Sequence, residues 1–163
     1  MEKLIVILHN IRSVYNVGAI LRTCEGLGVG KVIFAGYTPY PGKGLPHEQA
    51  KLTQQIHKTA LGAEEMVDWE YVADLAEFIE VERQKLYKVL VLEQAENSVS
   101  LRDFRADPSA KYLLILGEEV HGVPAEILAQ ADQILEIPMR GKKESFNVSV
   151  AAGMALWELS RQF

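Results

Sequence analysis

Five stretches of the chain are almost unbroken apolar runs, and between them the apolar positions shift to helical spacing. Leu4–Leu8 (LIVIL), Lys31–Ala35, Lys88–Glu93 (KVLVLE), Tyr112–Leu116 (YLLIL) and Gln133–Met139 have the length and composition of strands buried on both faces. Pro138 closes the last of these, because proline offers a sheet no N–H. A helix is predicted to begin near Asn16, where Val17, Ile20, Leu21 and Cys24 recur at i, i+3, i+4 and i+7, and to end at Gly26, Gly28 and Gly30. A polar helix follows over Glu48–Leu61 and stops at Gly62. Asp74–Leu86 reads as amphipathic, with Leu75, Phe78, Ile79 and Leu86 inward and Glu77, Glu80 and Glu82 outward. Pro124–Ala131 makes a short helix. The final helix starts at Ser145 or Asn147, either able to cap it, and continues through Val148, Val150, Ala151, Ala152, Met154 and Leu156.

Strands that alternate with helices and are apolar throughout imply an α/β fold, a mainly parallel sheet with helices on both faces. Ligands of such sheets sit beyond the carboxyl ends of strands, which makes Gly117-Glu118-Glu119 and Met139-Arg140-Gly141 the natural pocket segments. With 163 residues and no repeat, low-complexity stretch or linker, the chain reads as one domain, 1–163, able to bury roughly two-thirds of its unfolded surface.

Composition narrows the chemistry. Cys24 is the sole cysteine, and His9, His47, His57 and His121 have no metal-ligand spacing with it or one another, so no metal is expected. No run reaches membrane-spanning length, and Met1–Asn10 holds an acidic residue and too short an apolar core for a signal peptide; the expectation is a cytoplasmic protein without a membrane partner. The net charge is −5, but it is unevenly spread: residues 63–107 hold 5 basic and 12 acidic side chains, the rest 12 basic and 10 acidic. An acidic flank beside a mildly basic face permits RNA binding.

Residues 137–158 hold a strand end, a loop of Arg140, Gly141, Lys142, Lys143 and Glu144, and a capped helix start. That arrangement suits an anionic or polar ligand, and it equally describes an ordinary strand-to-helix connection. The glycines at 26, 28 and 30 follow a helix and precede a strand, the reverse of a dinucleotide-binding or P-loop order. Residues 36–47 carry three prolines, Tyr37, Tyr40 and Lys43; the tyrosines and lysine either stack a base and touch phosphate or pack on the core. Lys51, His57 and Lys58 read as solvated residues of the polar helix.

Three segments together resemble the SpoU, or TrmH, family of RNA ribose 2′-O-methyltransferases of the SPOUT class. They are Asn16-Val17-Gly18-Ala19-Ile20-Leu21-Arg22, then Leu116-Gly117-Glu118-Glu119-Val120-His121-Gly122, then Ile137-Pro138-Met139, Gly141, Ser145 and Asn147-Val148-Ser149. The chain departs from the family at Glu118, where Asn is frequent, at Val120, where Gly is, and at Phe146, where Leu is usual. The resemblance implies a C-terminal deep trefoil knot, S-adenosylmethionine held around Leu116, Gly117, Ile137, Met139 and Phe146, and a homodimer with its sites near the interface. Ser149, Ala152 and Gly153 give one helix face with little side chain, suited to a close-packed partner or to packing within the monomer.

The same resemblance assigns catalysis to Arg22 with Asn16, Glu119, Ser145 and Asn147. A guanidinium stays charged and is a poor base, so Arg22 is expected to clamp phosphate, with Gly18 one turn earlier leaving room for a nucleotide. Its alternative is a surface pair with Glu25. Asn16 is expected to cap its helix and to orient the substrate or Arg22, or to act as the cap alone. Arg12, Lys43, Arg140, Lys142 and Lys143 are the candidate contacts to RNA, a tRNA before a ribosomal RNA. Two other readings remain: an RNA-binding protein with this fold and no turnover, told apart by S-adenosylmethionine binding, and a base methyltransferase of the wider class, told apart by nuclease digestion of the modified RNA.

Overall fold

The computed structural model describes residues 3–162. Met1, Glu2, Phe163 and the side chain of His47, one of the four histidines considered above as metal ligands, lie outside the described residues.

The chain alternates as β1 (Leu4–His9), α1 (Val14–Gly26), β2 (Lys31–Ala35), α2 (Pro46–Ala60), α3 (Ala63–Met66), β3 (Trp69–Val72), α4 (Leu75–Gln84), β4 (Tyr87–Leu92), β5 (Val99–Ser100), β6 (Lys111–Leu116), α5 (Ala125–Leu128), β7 (Gln133–Glu136) and α6 (Val148–Ser160). The seven strands form one sheet in the order β3-β2-β1-β6-β4-β7-β5, and every paired neighbour is parallel. Alternation along β1 divides the core. Leu4, Val6 and Leu8 face a cluster with Val17, Ile20, Leu21, Ile56, Ala155 and Leu159 from α1, α2 and α6. Ile5 and Ile7 face the other layer with Leu75, Ile79 and Ile127 from α4 and α5. Burial on both faces is why the central strands read as unbroken apolar runs.

Several expected details differ. Helix α1 begins at Val14, two residues earlier than expected, because Ser13 is its cap: the hydroxyl accepts from the Asn16 backbone N–H at 3.3 Å. Asn16 is therefore not a cap, and its side chain is free for other work. Gly18 leaves no room for a nucleotide; it is buried against α2, and a Cβ there would lie 2.2 Å from Thr59 Oγ1 and 2.4 Å from the Ile56 carbonyl oxygen. Glycine at 18 lets two helices touch.

Leu86 does not belong to the apolar face of α4. The helix stops at Gln84, and Leu86 sits at φ 68°, exposed, in the turn to β4. Glu82 is not on an outer face: it is buried, and the Lys85 ammonium reaches it at 2.7 Å. His57 is exposed yet not merely solvated, since its Nδ1 lies 2.6 Å from the buried Glu64 carboxylate. β7 ends at Glu136, before Ile137 and Met139, where its neighbour β5 has ended as well. β3 and β5 escaped the sequence reading because both are edge strands: β3 carries Glu70 and an exposed Tyr71, and β5 has only two residues.

Residues 36–45 divide their tyrosines. Tyr40 is structural, stacked on Tyr71 with centroids 4.9 Å apart and set against Phe34 and Trp69 at 6.0 Å each. Tyr37 is exposed.

Candidate active site

The carboxyl ends of β4, β6 and β7 and the start of α6 enclose a cavity of about 250 Å³. Its apolar walls include Leu92, Leu116, Ile137, Phe146 and Val148; its polar ones include Glu93, Glu118, Glu119 and Glu136. Gly117 makes the innermost turn possible. A Cβ there would stand 2.6 Å from the Gly122 carbonyl carbon and 2.6 Å from Val123 Cγ2, so residues 117–123 can fold back tightly only on glycine. Glu93, at the end of β4, braces that fold: one oxygen accepts the Val123 N–H at 3.0 Å, the other the Gln94 N–H at 2.9 Å. Gln94 in turn donates to the Glu144 carbonyl at 2.9 Å, tying the charged loop to the opposite rim.

Beside this cavity, and reaching it through Glu119, one line of hydrogen bonds joins three distant segments. Asn147 Nδ2 donates to Asn16 Oδ1 at 3.2 Å, and Asn16 Nδ2 donates to Glu119 Oε1 at 2.8 Å. Asn147 also caps α6, its Oδ1 accepting from the Ser149 N–H at 2.9 Å and hydroxyl at 2.6 Å. Capping and the contact with Asn16 use different atoms of one amide, so the cap leaves the Asn147 amide nitrogen available to the site. Burial opposes ionisation of Glu119, but the Asn16 amide and the backbone N–H groups of Arg12 and Ser13 outweigh it and hold its pKa below the ordinary glutamate value.

The sign of that shift makes a pH test. A carboxylate with a depressed folded-state pKa stabilises the fold fully above its unfolded value, roughly 4.3, and loses that contribution as pH falls through the folded value. In thermal melts from neutral to acidic pH, wild type is expected to lose more stability than Glu119→Gln below that point. Parallel curves would remove the assignment.

Glu118 organises a second cluster. It accepts from the Tyr37 hydroxyl at 2.7 Å, lies 2.6 Å from His121 Nδ1 and pairs with Arg12 Nε at 3.3 Å. The Tyr37 hydroxyl, His121 and Arg12 lower its pKa. The glutamate that departs from the family pattern thus connects β6 to the loops after β1 and β2.

The remaining candidates scatter. Ser145 lines the cavity and is exposed, and Phe146 forms part of its wall. Met139 is half-buried and outside the lining. Arg140, Lys142 and Lys143 are exposed on a loop that contributes no basic side chain to the lining of this cavity. Lys43 donates to the Tyr37 and Thr38 carbonyls at 2.8 and 3.0 Å, and burial lowers its pKa. Arg22 is exposed on α1; among the described residues no carboxylate, Glu25 included, lies within ion-pair distance of it. Sequence reasoning missed Glu93 and Gln94, while Tyr37, read there as a residue that stacks a base or packs on the core, is anchored at the surface by Glu118. The rule that ligands collect at the carboxyl ends of strands would have found Glu93 and Gln94, which follow β4 directly.

Residues 3–157 match the family model described as SpoU rRNA Methylase. The chain belongs to that family. Over 161 residues it is 34% identical to the tRNA (guanosine(18)-2′-O)-methyltransferase of Aquifex aeolicus, covering 99% of this chain and 70% of that protein. Its fold superposes on an AdoMet-bound rRNA methyltransferase from Sinorhizobium meliloti with TM-score 0.84 and 26% identity, over 97% of this chain and 56% of that one. A structure described in terms of the 2′-OH methylation of C/U34 on tRNA matches with TM-score 0.79 and 27% identity, over 98% of this chain and 95% of that one. Asn16, Glu119 and Asn147, the hydrogen-bonded line, come one from each of the three motifs that carried the resemblance.

Proposed function

We propose that this family member is an S-adenosylmethionine-dependent RNA methyltransferase that modifies a ribose 2′-hydroxyl. The observation that carries the reading is the line Asn147–Asn16–Glu119, joined through Glu119 to a cavity whose lining suits the cofactor. Apolar walls of Leu92, Ile137 and Phe146 suit a flat purine, and the carboxylates Glu93, Glu118, Glu119 and Glu136 suit a ligand bearing ammonium and sulfonium charge. When bound, S-adenosylmethionine supplies the methyl group on a cationic sulfur. The protein's part is placement. Asn16 is fixed at both ends of its amide, so the groups around the acceptor hydroxyl are held before substrate arrives. Ser145 and Asn147 orient the ribose from the α6 side. Arg22, exposed and without a carboxylate partner, binds the phosphate beside the acceptor and stabilises charge there; the hydroxyl proton leaves to phosphate or water.

The C-terminal segment is knotted: from β7, beyond β4, the chain returns past the β4 and β6 ends to α6, which packs with α1 on the face beside β1. The protein is a cytoplasmic homodimer. Val150, Met154 and Trp157 project from α6 at i, i+4 and i+7 and are exposed, Trp157 at 61%, and Gly153 beside them has open space. Met154→Glu is expected to shift the protein from dimer to monomer in light scattering with its fold retained, and an unchanged mass would exclude this face.

The substrate is a tRNA. The mutual near-complete overlap with the C/U34 methylation structure favours the wobble nucleotide over a ribosomal site. Purified protein, tritiated S-adenosylmethionine and RNA from a strain lacking the gene provide the test. Label is expected in tRNA, at a phosphodiester that resists nuclease. Label at a nuclease-sensitive position would indicate base methylation, and no cofactor binding by calorimetry would indicate a protein without turnover.

A further inference from the structure

A second concavity, of about 630 Å³, lies beside the reaction centre and shares none of the first cavity's lining. It opens between the start of α1, residues 36–45 and α2, near the carboxyl ends of β1 and β2. Arg12, Lys43 and Lys51 line it against one carboxylate, Glu48, which the Leu45 N–H already occupies at 3.2 Å. A cationic groove on a protein of net charge −5 is a local construction.

Its parts have separate tasks. Lys43 braces the loop from within through the Tyr37 and Thr38 carbonyls. Lys51 is exposed on α2, and Arg12 keeps 60% of its side chain exposed although its Nε pairs with Glu118. Tyr37 is 46% exposed, while its hydroxyl is anchored on Glu118 and the Arg12 guanidinium lies 5.9 Å from the ring centroid. An aromatic ring held at its polar end, beside the Arg12 guanidinium in a groove also lined by Pro39 and Lys51, is a prepared surface for a base with its phosphate. Arg12 also fixes the distance to the chemistry: its backbone N–H donates to Glu119 Oε2 at 3.3 Å, and Glu119 holds Asn16.

We propose that this groove is the subsite for the nucleotide adjoining the methylated one, in a single-stranded stretch of RNA. Its base lies against Tyr37 and Pro39, and its phosphate lies between Arg12 and Lys51. A base stacked inside a duplex has no free face to offer, so the groove selects loops and ends. The assignment rests on the RNA methyltransferase reading, and it deepens that reading by stating what the strand must look like next to its target.

Tyr37→Ala and Lys51→Glu test it, the latter on an exposed helical face where folding is not at risk. With tritiated S-adenosylmethionine and RNA lacking the modification, each is expected to raise KM for RNA by about tenfold, and Lys51→Glu, which touches nothing in the first cavity, to leave KM for S-adenosylmethionine unchanged. Binding is measured separately, by fluorescence anisotropy with a labelled mixed-sequence RNA hexamer, alone and paired with its complement. The wild type is expected to prefer the single strand, and Lys51→Glu to weaken that binding by about tenfold. An active enzyme whose KM for RNA is unmoved by both changes overturns the groove and leaves the methyltransferase standing. Hexamer binding that responds to Lys51→Glu in a protein that transfers no methyl group does the reverse. Equal hexamer binding by wild type and both variants, or a preference for the duplex, overturns the groove whatever the turnover.

Discussion

Arg22→Ala is expected to lower kcat for methyl transfer by about 10²–10³-fold, with S-adenosylmethionine affinity, melting temperature and oligomeric state unchanged. Arg22 is exposed on α1, and no carboxylate among the described residues neutralises it, so its truncation removes no ion pair from the fold. A guanidinium in that condition is available to an anion that arrives with substrate, and its planar fork fits phosphate oxygens in two places. Arg22→Lys keeps the charge and loses the fork, so it is expected to recover part of the rate. Full activity in a folded Arg22→Ala protein would end the assignment and move the search for the phosphate-binding cation to the loop of Arg140, Lys142 and Lys143.

The second large effect is expected at Gly117. Adding only a methyl group, as Gly117→Ala does, places carbon 2.6 Å from the Gly122 carbonyl carbon and 2.7 Å from its oxygen, a contact with backbone that no rotamer change relieves. The loop cannot retreat freely either, since the Glu93 carboxylate fixes the Val123 N–H. Overpacking of this kind costs about 1–3 kcal/mol. If that falls on the shape of residues 117–123, S-adenosylmethionine affinity drops roughly 5- to 150-fold, which calorimetry reads directly. Gly26→Ala is the control, because a Cβ there meets nothing within 4 Å. Equal cofactor affinity in both variants would show that the tight turn does not shape the cavity.

The architecture was largely legible because burial on both faces writes continuous apolar runs into β1, β2, β4 and β6, and helical spacing marks α1. What escaped was structure fixed by contact and not by composition. β5 is two residues held by β7, and the role of Gly18 depends on where α2 happens to pass. The site shows the same division. The motifs brought Asn16, Glu119 and Asn147 to notice, but nothing local foretold that their side chains bond to one another across 103 and 131 positions. Nor could composition separate Tyr37 from Tyr40, one anchored at the surface by Glu118 and the other packed on Phe34 and Trp69.

The parallel sheet also sets an order of events during synthesis. β1 lies between β2 and β6, and its register with β6 joins Leu4 to Tyr112. A nascent chain can pair β1 with β2 early, but β1 keeps an open edge until residues beyond 111 have left the ribosome, and Asn147, which completes the polar line ahead of α6, follows later still. Non-local parallel pairing is slow to form and leaves such edges open to mispairing in the meantime. The segment from β6 to α6 therefore closes the sheet over β1, and a chain stopped before Lys111 leaves that edge of β1 unpaired.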